Sequence, residues 1–186
     1  MKFIIIAGPQ AVGKMAVGMN LAEKTGMRLF HNHMTIEMAI DIYGGFSKHA
    51  KKLVAQLRKD IFESVSESDL KGLIFTFMWA FNYQEDHDYV KEQVELFESK
   101  GAEVYIVELQ ADLDIRRKRN KTELRLKHKP SKRDLEWSEN ELVKSMDKYR
   151  LNSQPGEIKH KNYVKIDNSH LSIDEVADKI IETFDF

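Results

Sequence analysis

The sequence predicts an α/β protein of three layers, α/β/α, in which a five-stranded parallel sheet lies between helices and carries a basic lid insert. Three observations predict it. Five strand-length apolar runs alternate with helical patterns, the order that builds parallel β-α-β units. The first run, Phe3-Ile4-Ile5-Ile6-Ala7, is apolar throughout, which suits a central strand covered on both faces. That run leads at once into Gly8-Pro9-Gln10-Ala11-Val12-Gly13-Lys14-Met15, a glycine loop that precedes a helical pattern. At 186 residues the chain is expected to form one domain, 1–186, with a full core and a mobile lid over roughly 117–135.

The elements follow in chain order. A helix over Lys14–Lys24 is expected to end at Gly26. Arg28–Phe30 reads as a short strand leading into His31-Asn32-His33. His31 and His33 alternate, so an extended backbone would point both the same way. Thr35 is placed to cap a brief helix with Ile36, Ala39, Ile40 and Tyr43 on one face, closed by Gly44-Gly45. Ser47 opens a long helix that ends near Leu70; its stripe is Ala50, Leu53, Leu57, Ile61 and Val65, with Arg58 just off it. Leu73–Phe81 reads as the next strand, followed by an acidic loop with Glu85, Asp86 and Asp88 and a helix marked by Val90, Val94 and Phe97. Glu103–Leu109 is the fourth strand, and Asp112–Asn120 a short basic helix. Lys121–Arg133 lacks apolar periodicity and holds Pro130, so it is expected as a mobile surface flap. Ser138-Glu139-Asn140-Glu141 has the pattern of a capping box, opening a helix with Leu142, Met146 and Tyr149 as its stripe. Tyr163–Ile166 is the fifth strand, and Ser172-Ile173-Asp174-Glu175 a second capping box before a last helix. In such sheets ligands bind at the carboxyl ends of the strands. The glycine loop, the His31–His33 segment, the acidic loop and the start of the basic helix all fall there.

Composition removes several kinds of chemistry. There is no cysteine, which excludes disulfides, thiolate zinc sites and thiol nucleophiles. No apolar run reaches membrane-spanning length, and a core strand begins at the second residue, so neither a membrane span nor a signal peptide is expected and the cytoplasm is the expected location. Residues 116–133 carry ten Lys/Arg and one acid, Glu123; that window is +9, which leaves −10 for the rest of a chain whose net charge is −1. Such a block attracts polyanions. No Phe, Tyr or Trp lies between Tyr105 and Trp137, so a base-stacking platform is missing and a nucleic acid is not the expected partner.

The glycine loop is the chemical centre. Gly8 lets the chain turn sharply off the strand, and Gly13 removes a side chain where a phosphate approaches the backbone. Loop N–H groups and the helix N-terminus then face the anion, and Lys14 reaches its outer phosphates. Gly8, Gln10, Ala11, Val12, Gly13, Lys14, Met15 and Ala16 are the candidate nucleotide-binding set. The pattern is G-x-x-x-x-G-K-[ST] with one departure: Met15 replaces the hydroxyl that would ligate Mg²⁺, and a thioether is a poor ligand for that hard cation. His33, with His31 beside it, is a candidate base for a substrate hydroxyl, because an unperturbed imidazole titrates near ~6.5. Two imidazoles alone are too few for a metal site, so no protein-held metal is expected.

Over most of its length the chain resembles the P-loop small-molecule kinases, in particular the shikimate kinases and their neighbours the nucleoside-monophosphate kinases. His31-Asn32-His33 followed by Ile36-Glu37 is similar to that family's Asp-x-Asp and Ile-Glu; Leu57-Arg58-Lys59-Asp60 is similar to its Phe-Arg-x-x-Glu; Val107-Glu108-Leu109 with Ile115-Arg116-Arg117 is similar to its fourth strand and adenine-stacking helix. The resemblance implies a P-loop NTPase fold, ATP as phosphoryl donor, a monomer and a small-molecule substrate. It implies that Arg116 stacks on adenine, that a lid arginine (Arg119 or Arg125, with Arg133 nearby) touches the transferring phosphate, and that Arg58 and Arg150 bind substrate along with His31 and His33. Lys14 would neutralise the transferring phosphoryl group. The departures are specific: both Asp positions are His, Met15 stands at the Mg²⁺ ligand, Met78-Trp79-Ala80-Phe81 replaces a glycine triplet, and no acid ends the third strand. They point away from shikimate as substrate. They also sustain a second reading, a nucleotide-binding protein without transfer chemistry, in which Mg²⁺ has no firm place.

Overall fold

In the computed structural model, which describes residues 1–186, five strands form one parallel sheet: β1 (Lys2–Ala7), β2 (Arg28–His31), β3 (Gly72–Phe77), β4 (Glu103–Gln110) and β5 (Tyr163–Asp167). The order is β2-β3-β1-β4-β5, so β1 is central. Ile5 registers with Phe75 on one side and Ile106 on the other. The apolar run of β1 is explained by alternation. Phe3, Ile5 and Ala7 face one core with Phe62, Phe75 and Phe97; Ile4 and Ile6 face the other with Val17, Leu21, Val176 and Ile180. Phe3 stacks on Phe97 with ring centroids 3.8 Å apart.

Eight helices cover the sheet: α1 (Lys14–Thr25), α2 (His33–Tyr43), α3 (Lys48–Ser66), α4 (Gln84–Ser99), α5 (Leu113–Asn120), α6 (Glu123–His128), α7 (Leu135–Lys148) and α8 (Ile173–Phe184). Gly26 closes α1 with a positive φ, and Ser172 and Glu175 form the expected capping box of α8. None of the helices is long and apolar enough to cross a membrane.

The structure corrects several sequence expectations. His33 is the first residue of α2, not the end of an extended segment, so His31 and His33 do not share a strand face. Thr35 is inside α2 and its hydroxyl donates back to the Asn32 carbonyl at 3.3 Å. On α3 the fully buried apolar side chains are Ala50, Val54 and Phe62, which puts Arg58 in the same four-residue ladder instead of beside it. β3 stops at Phe77, and the next residues form a loop in which Trp79 and Phe81 stack at 4.7 Å. The acids after it lie in the first turn of α4, where the helix dipole favours them. Asp86 accepts the Ala80 N–H at 2.7 Å and so holds that loop. Lys121–Arg133 is not irregular: it forms α6 and a 3₁₀ turn, Pro130–Lys132. α7 begins at Leu135 because Asp134 captures the Trp137 N–H at 3.0 Å; Ser138 is then interior and pairs with Asn120.

Candidate functional site

The Gly8–Met15 loop links β1 to α1 across the centre of the sheet. Its path depends on backbone conformations that favour glycine. Gly8 has φ +139°, and a Cβ there would stand 2.4 Å from the Leu109 carbonyl oxygen of β4. Gly13, at φ +114°, is the N-cap of α1, which has no side-chain cap on its first turn. Ala11 adopts φ +58° without being glycine. Three side chains hold the loop from outside. Arg116 donates to the Gln10 carbonyl at 2.8 Å, Arg119 to the Val12 carbonyl at 3.0 Å, and Asn168 to the same carbonyl at 2.9 Å. A trans peptide sets C=O and the next N–H in opposite directions. Tying back the carbonyls of Gln10 and Val12 therefore turns the N–H groups of Ala11 and Gly13 the other way.

Two cavities meet at this loop. One, of about 250 Å³, is lined by Ala11–Val17 of the loop and α1, by Arg119, Leu124, Arg125 and Lys129, and by Asn168, Leu171 and Ile173. The other, of about 260 Å³, is lined by His33, Ile36 and Ile40 of α2, by Phe46 and Met78, and by Ser131, Lys132 and Trp137. Lys14, Arg125 and Lys129 line both. Lys14 Nζ donates to the carbonyls of Gly8 (2.5 Å) and Pro9 (2.7 Å).

The electrostatics of the junction are one-sided. Burial, then Lys129, Arg125 and Arg116, hold the Lys14 ammonium well below its ordinary pKa. Burial, then Arg125 and Lys132, bring Lys129 down to about 7 against the pull of Glu37. Burial brings Arg125 down to about 10. Arg125 Nε and Arg116 Nη2 are buried with no partner in the protein. An unpaired buried donor is costly, and an anionic ligand would satisfy Arg125 Nε, whose residue lines both cavities, whereas Arg116 lines neither.

On the second cavity's wall His33 Nδ1 lies 2.7 Å from Glu37 Oε1. Burial raises the Glu37 pKa, but the hydrogen bonds from His33 and from Ser131 outweigh that and hold it below the usual carboxylate range. Burial, with Lys129 and Lys132, pushes the His33 imidazolium the same way, downward. The pair is thus a neutral imidazole donating Nδ1–H to an ionised carboxylate, with Nε2 left as an acceptor. Glu37 also receives the Ser131 hydroxyl at 2.6 Å and the Ser131 N–H at 3.0 Å. His31, brought to about 4 by burial and by Lys129, has Nδ1 without a protein partner and sits edge-on to His128 at 6.2 Å.

The sequence-derived candidates divide. Lys14, Arg125, Arg119, His33 and the loop residues come together. Arg116, 4% exposed, is tied behind the loop and does not line the first cavity, whereas Arg119 does. Arg58 lies beneath α2, donating to the Thr35 hydroxyl at 3.2 Å and the Asn32 carbonyl at 3.0 Å, and lines neither cavity. Arg150 is placed elsewhere. Its guanidinium is spent on Glu157 (2.5 and 2.6 Å) and the Phe81 carbonyl (2.9 Å), an arrangement that lowers Glu157 to about 2. Lys129, Lys132, Ser131 and Asn168 carried no motif. Glu37 was marked only as part of the Ile36-Glu37 pair, although its four-residue spacing from His33 would place both on one helix face.

The donor set does not fit a protein-held Mg²⁺. Met15 offers a thioether, no acid ends β3, and no group of three His, Cys, Asp or Glu residues is placed to hold a metal.

No protein-family model and no curated protein matches this sequence. Solved structures do. A sugar kinase from Janibacter sp. HTCC2649 is 11% identical, with 100% of this chain and 95% of that one covered and a TM-score of 0.62. A gluconokinase from Sinorhizobium meliloti 1021 is 14% identical, with 99% and 91% covered and a TM-score of 0.60. A shikimate kinase from Acinetobacter baumannii, solved with shikimate, is 19% identical, with 99% and 93% covered and a TM-score of 0.57. The chain has the three-layer α/β/α fold that these P-loop kinases share.

Proposed function

We infer that this protein is a kinase that transfers the terminal phosphoryl group of a nucleoside triphosphate, taken as ATP, to a hydroxyl of a small metabolite. The observation that carries the reading is the meeting of two cavities at Lys14, Arg125 and Lys129, with a His33–Glu37 pair on the far wall. The nucleotide occupies the first cavity. Its base lies against Arg119, Leu171 and Ile173, and its phosphates follow the loop; Arg119 thus takes the stacking role that the sequence assigned to Arg116. The acceptor occupies the second cavity, its apolar parts against Ile36, Ile40 and Trp137. His33 Nε2 takes the hydroxyl proton as the new O–P bond forms and the bond to the leaving nucleoside diphosphate breaks. Glu37 fixes the imidazole tautomer, so that Nε2 is the basic atom. Lys14, Arg125 and Lys129 stabilise the charge on the phosphoryl oxygens, where positioning and electrostatics supply nearly all of the catalysis. Residues 117–135 act as the lid of a single monomeric cytoplasmic domain.

Met15 favours a second reading, a nucleotide-binding protein that does not transfer. Two measurements separate the two. ATP at a hundred times its dissociation constant should add about 2.7 kcal/mol, roughly 5–10 °C for a chain this size, and Lys14→Ala should abolish the shift. Turnover across a panel of hydroxylated metabolites then decides: turnover lost in His33→Ala supports the kinase, and a shift without any turnover supports the second reading.

A further inference from the structure

The site lacks the ligands for a divalent ion but has cations where such an ion would act. Met15, 6% exposed, lines the nucleotide-side cavity, and the only heteroatom of its side chain is a sulfur, a soft donor. β3 ends in Thr76-Phe77, and the Thr76 hydroxyl already accepts the Asn32 N–H at 3.1 Å. Glu37, whose field reaches Lys129 and Lys132, has both oxygens engaged by His33 and Ser131.

Against this, Lys14 feels the fields of Lys129, Arg125 and Arg116, and Lys129 and Lys132 each feel that of Arg125. Glu37 is the single carboxylate that pulls on them there, apart from a contribution of Glu141 at Lys132. Lys14, Arg125, Lys129 and Lys132 against Glu37 leave the junction net cationic even with Lys129 about half charged near neutral pH, and a fully ionised triphosphate is a strong polyanion. Arg125, which lines both cavities, presents a buried Nε–H that no protein atom accepts. A metal-bound triphosphate arrives with part of its charge cancelled, and neither Met15 nor Phe77 at the end of β3 offers the metal a side-chain oxygen.

We propose that this cation cluster takes the place of a protein-ligated divalent ion, so that the chain binds the metal-free nucleoside triphosphate at least as tightly as its Mg²⁺ complex. Lys129 and Lys132, carried by the lid, cover the outer phosphates from the acceptor side. Lys14 and Arg125 reach them from the loop and α6, and Arg116 backs the loop.

The proposal rests on the nucleotide-binding reading, and one titration separates their failures. ATP binding is measured by calorimetry on the full chain at fixed ionic strength, once with excess Mg²⁺ and once with EDTA, for the native protein, Arg125→Gln and Lys129→Gln. The expected result is an affinity in EDTA equal to or tighter than that in Mg²⁺ within about threefold, and a loss of about tenfold or more in EDTA for each variant, since each removes a charge-assisted contact. Binding more than about threefold tighter with Mg²⁺ overturns the proposal and leaves the nucleotide-binding reading intact. Variants that bind metal-free ATP as the native protein does overturn the assignment to this cluster. No binding under either condition overturns both. Circular dichroism of the two variants confirms that they are folded.

Discussion

Lys129 concentrates the chemistry of the site in one side chain. Burial, Arg125 and Lys132 oppose its charge, Glu37 supports it, and Lys14, His31 and His33 also feel its field. With a folded-state value of about 7, it is half charged near neutral pH in the empty protein. A bound polyanion favours the charged form and raises that value. Binding therefore takes up a proton above pH ~7. Affinity is expected to be greatest below pH ~7 and to fall as pH rises from there towards the bound-state pKa. Calorimetry at pH 8 in buffers of different ionisation enthalpy checks the uptake, which Lys129→Gln should remove. For folding the sign is the reverse of a stabilising ion pair. The native pKa lies below that of the unfolded chain, so the unfolded chain holds the extra proton between about pH 7 and pH 10.5. The penalty from Lys129 is full below about 7 and is relieved as pH climbs through that window. Retaining such a side chain costs stability for the sake of a binding site, a familiar trade.

At the scale of elements, α2 lines the second cavity with His33, Ile36 and Ile40, and α3 packs against it. Arg58 occupies the rung between Val54 and Phe62, with its guanidinium carbon 5.8 Å from the centre of the Phe75 ring. Its donors meet the Asn32 carbonyl and the Thr35 hydroxyl at the start of α2, one residue before and two after His33. Arg58→Ala is expected to cost about 2–3 kcal/mol, the scale of hydrogen bonds from a charged donor, and to leave ATP affinity unchanged, because the nucleotide cavity is built on other elements. Urea denaturation and calorimetry read the two effects. Weakened ATP binding in a fully folded Arg58→Ala protein would show that the arginine reaches the ligands directly.

For the molecule as a whole, the lid is joined to the body through Glu37. That carboxylate collects His33 from its own helix and both the N–H and O–H of Ser131 from the 3₁₀ turn. Lys132 adds a contact over Trp137 at 4.2 Å. Removing the carboxylate takes away the acceptor of Ser131 and the charge that Lys129 and Lys132 both feel. Glu37→Ala is expected to expose Lys121–Arg133 and to speed limited tryptic cleavage there by about tenfold, the effect of ~1.4 kcal/mol on a local opening. ATP should slow the cleavage in the native protein. Equal cleavage rates for Glu37→Ala and native protein would show that the latch is elsewhere.

The sequence by itself determined the layers, the central strand and the glycine loop between β1 and α1. Those features are local: an alternating apolar run, a glycine spacing and a capping box write their geometry into a few adjacent residues, and Phe3–Ala7, Gly8–Lys14 and Ser172–Glu175 stand as read. It also showed residues 116–133 to be a concentrated positive block, because ten cations with one acid are visible in composition alone. What the tertiary structure decided was partnership. Arg150, Arg58, Arg116 and Arg125 are the same residue in the sequence, yet Arg150 is neutralised by Glu157, Arg58 braces α2, Arg116 ties back the loop, and Arg125 is left with an unsatisfied donor at the junction of two cavities. Position 33 became helical because α2 begins there, with Asn32 as its N-cap, and only that turn brings His33 onto Glu37. The physical reason is that charge pairing and desolvation depend on residues far apart in the chain. Ser131 meets Glu37 across 94 positions and Arg116 meets Gln10 across 106, distances over which no local pattern carries information.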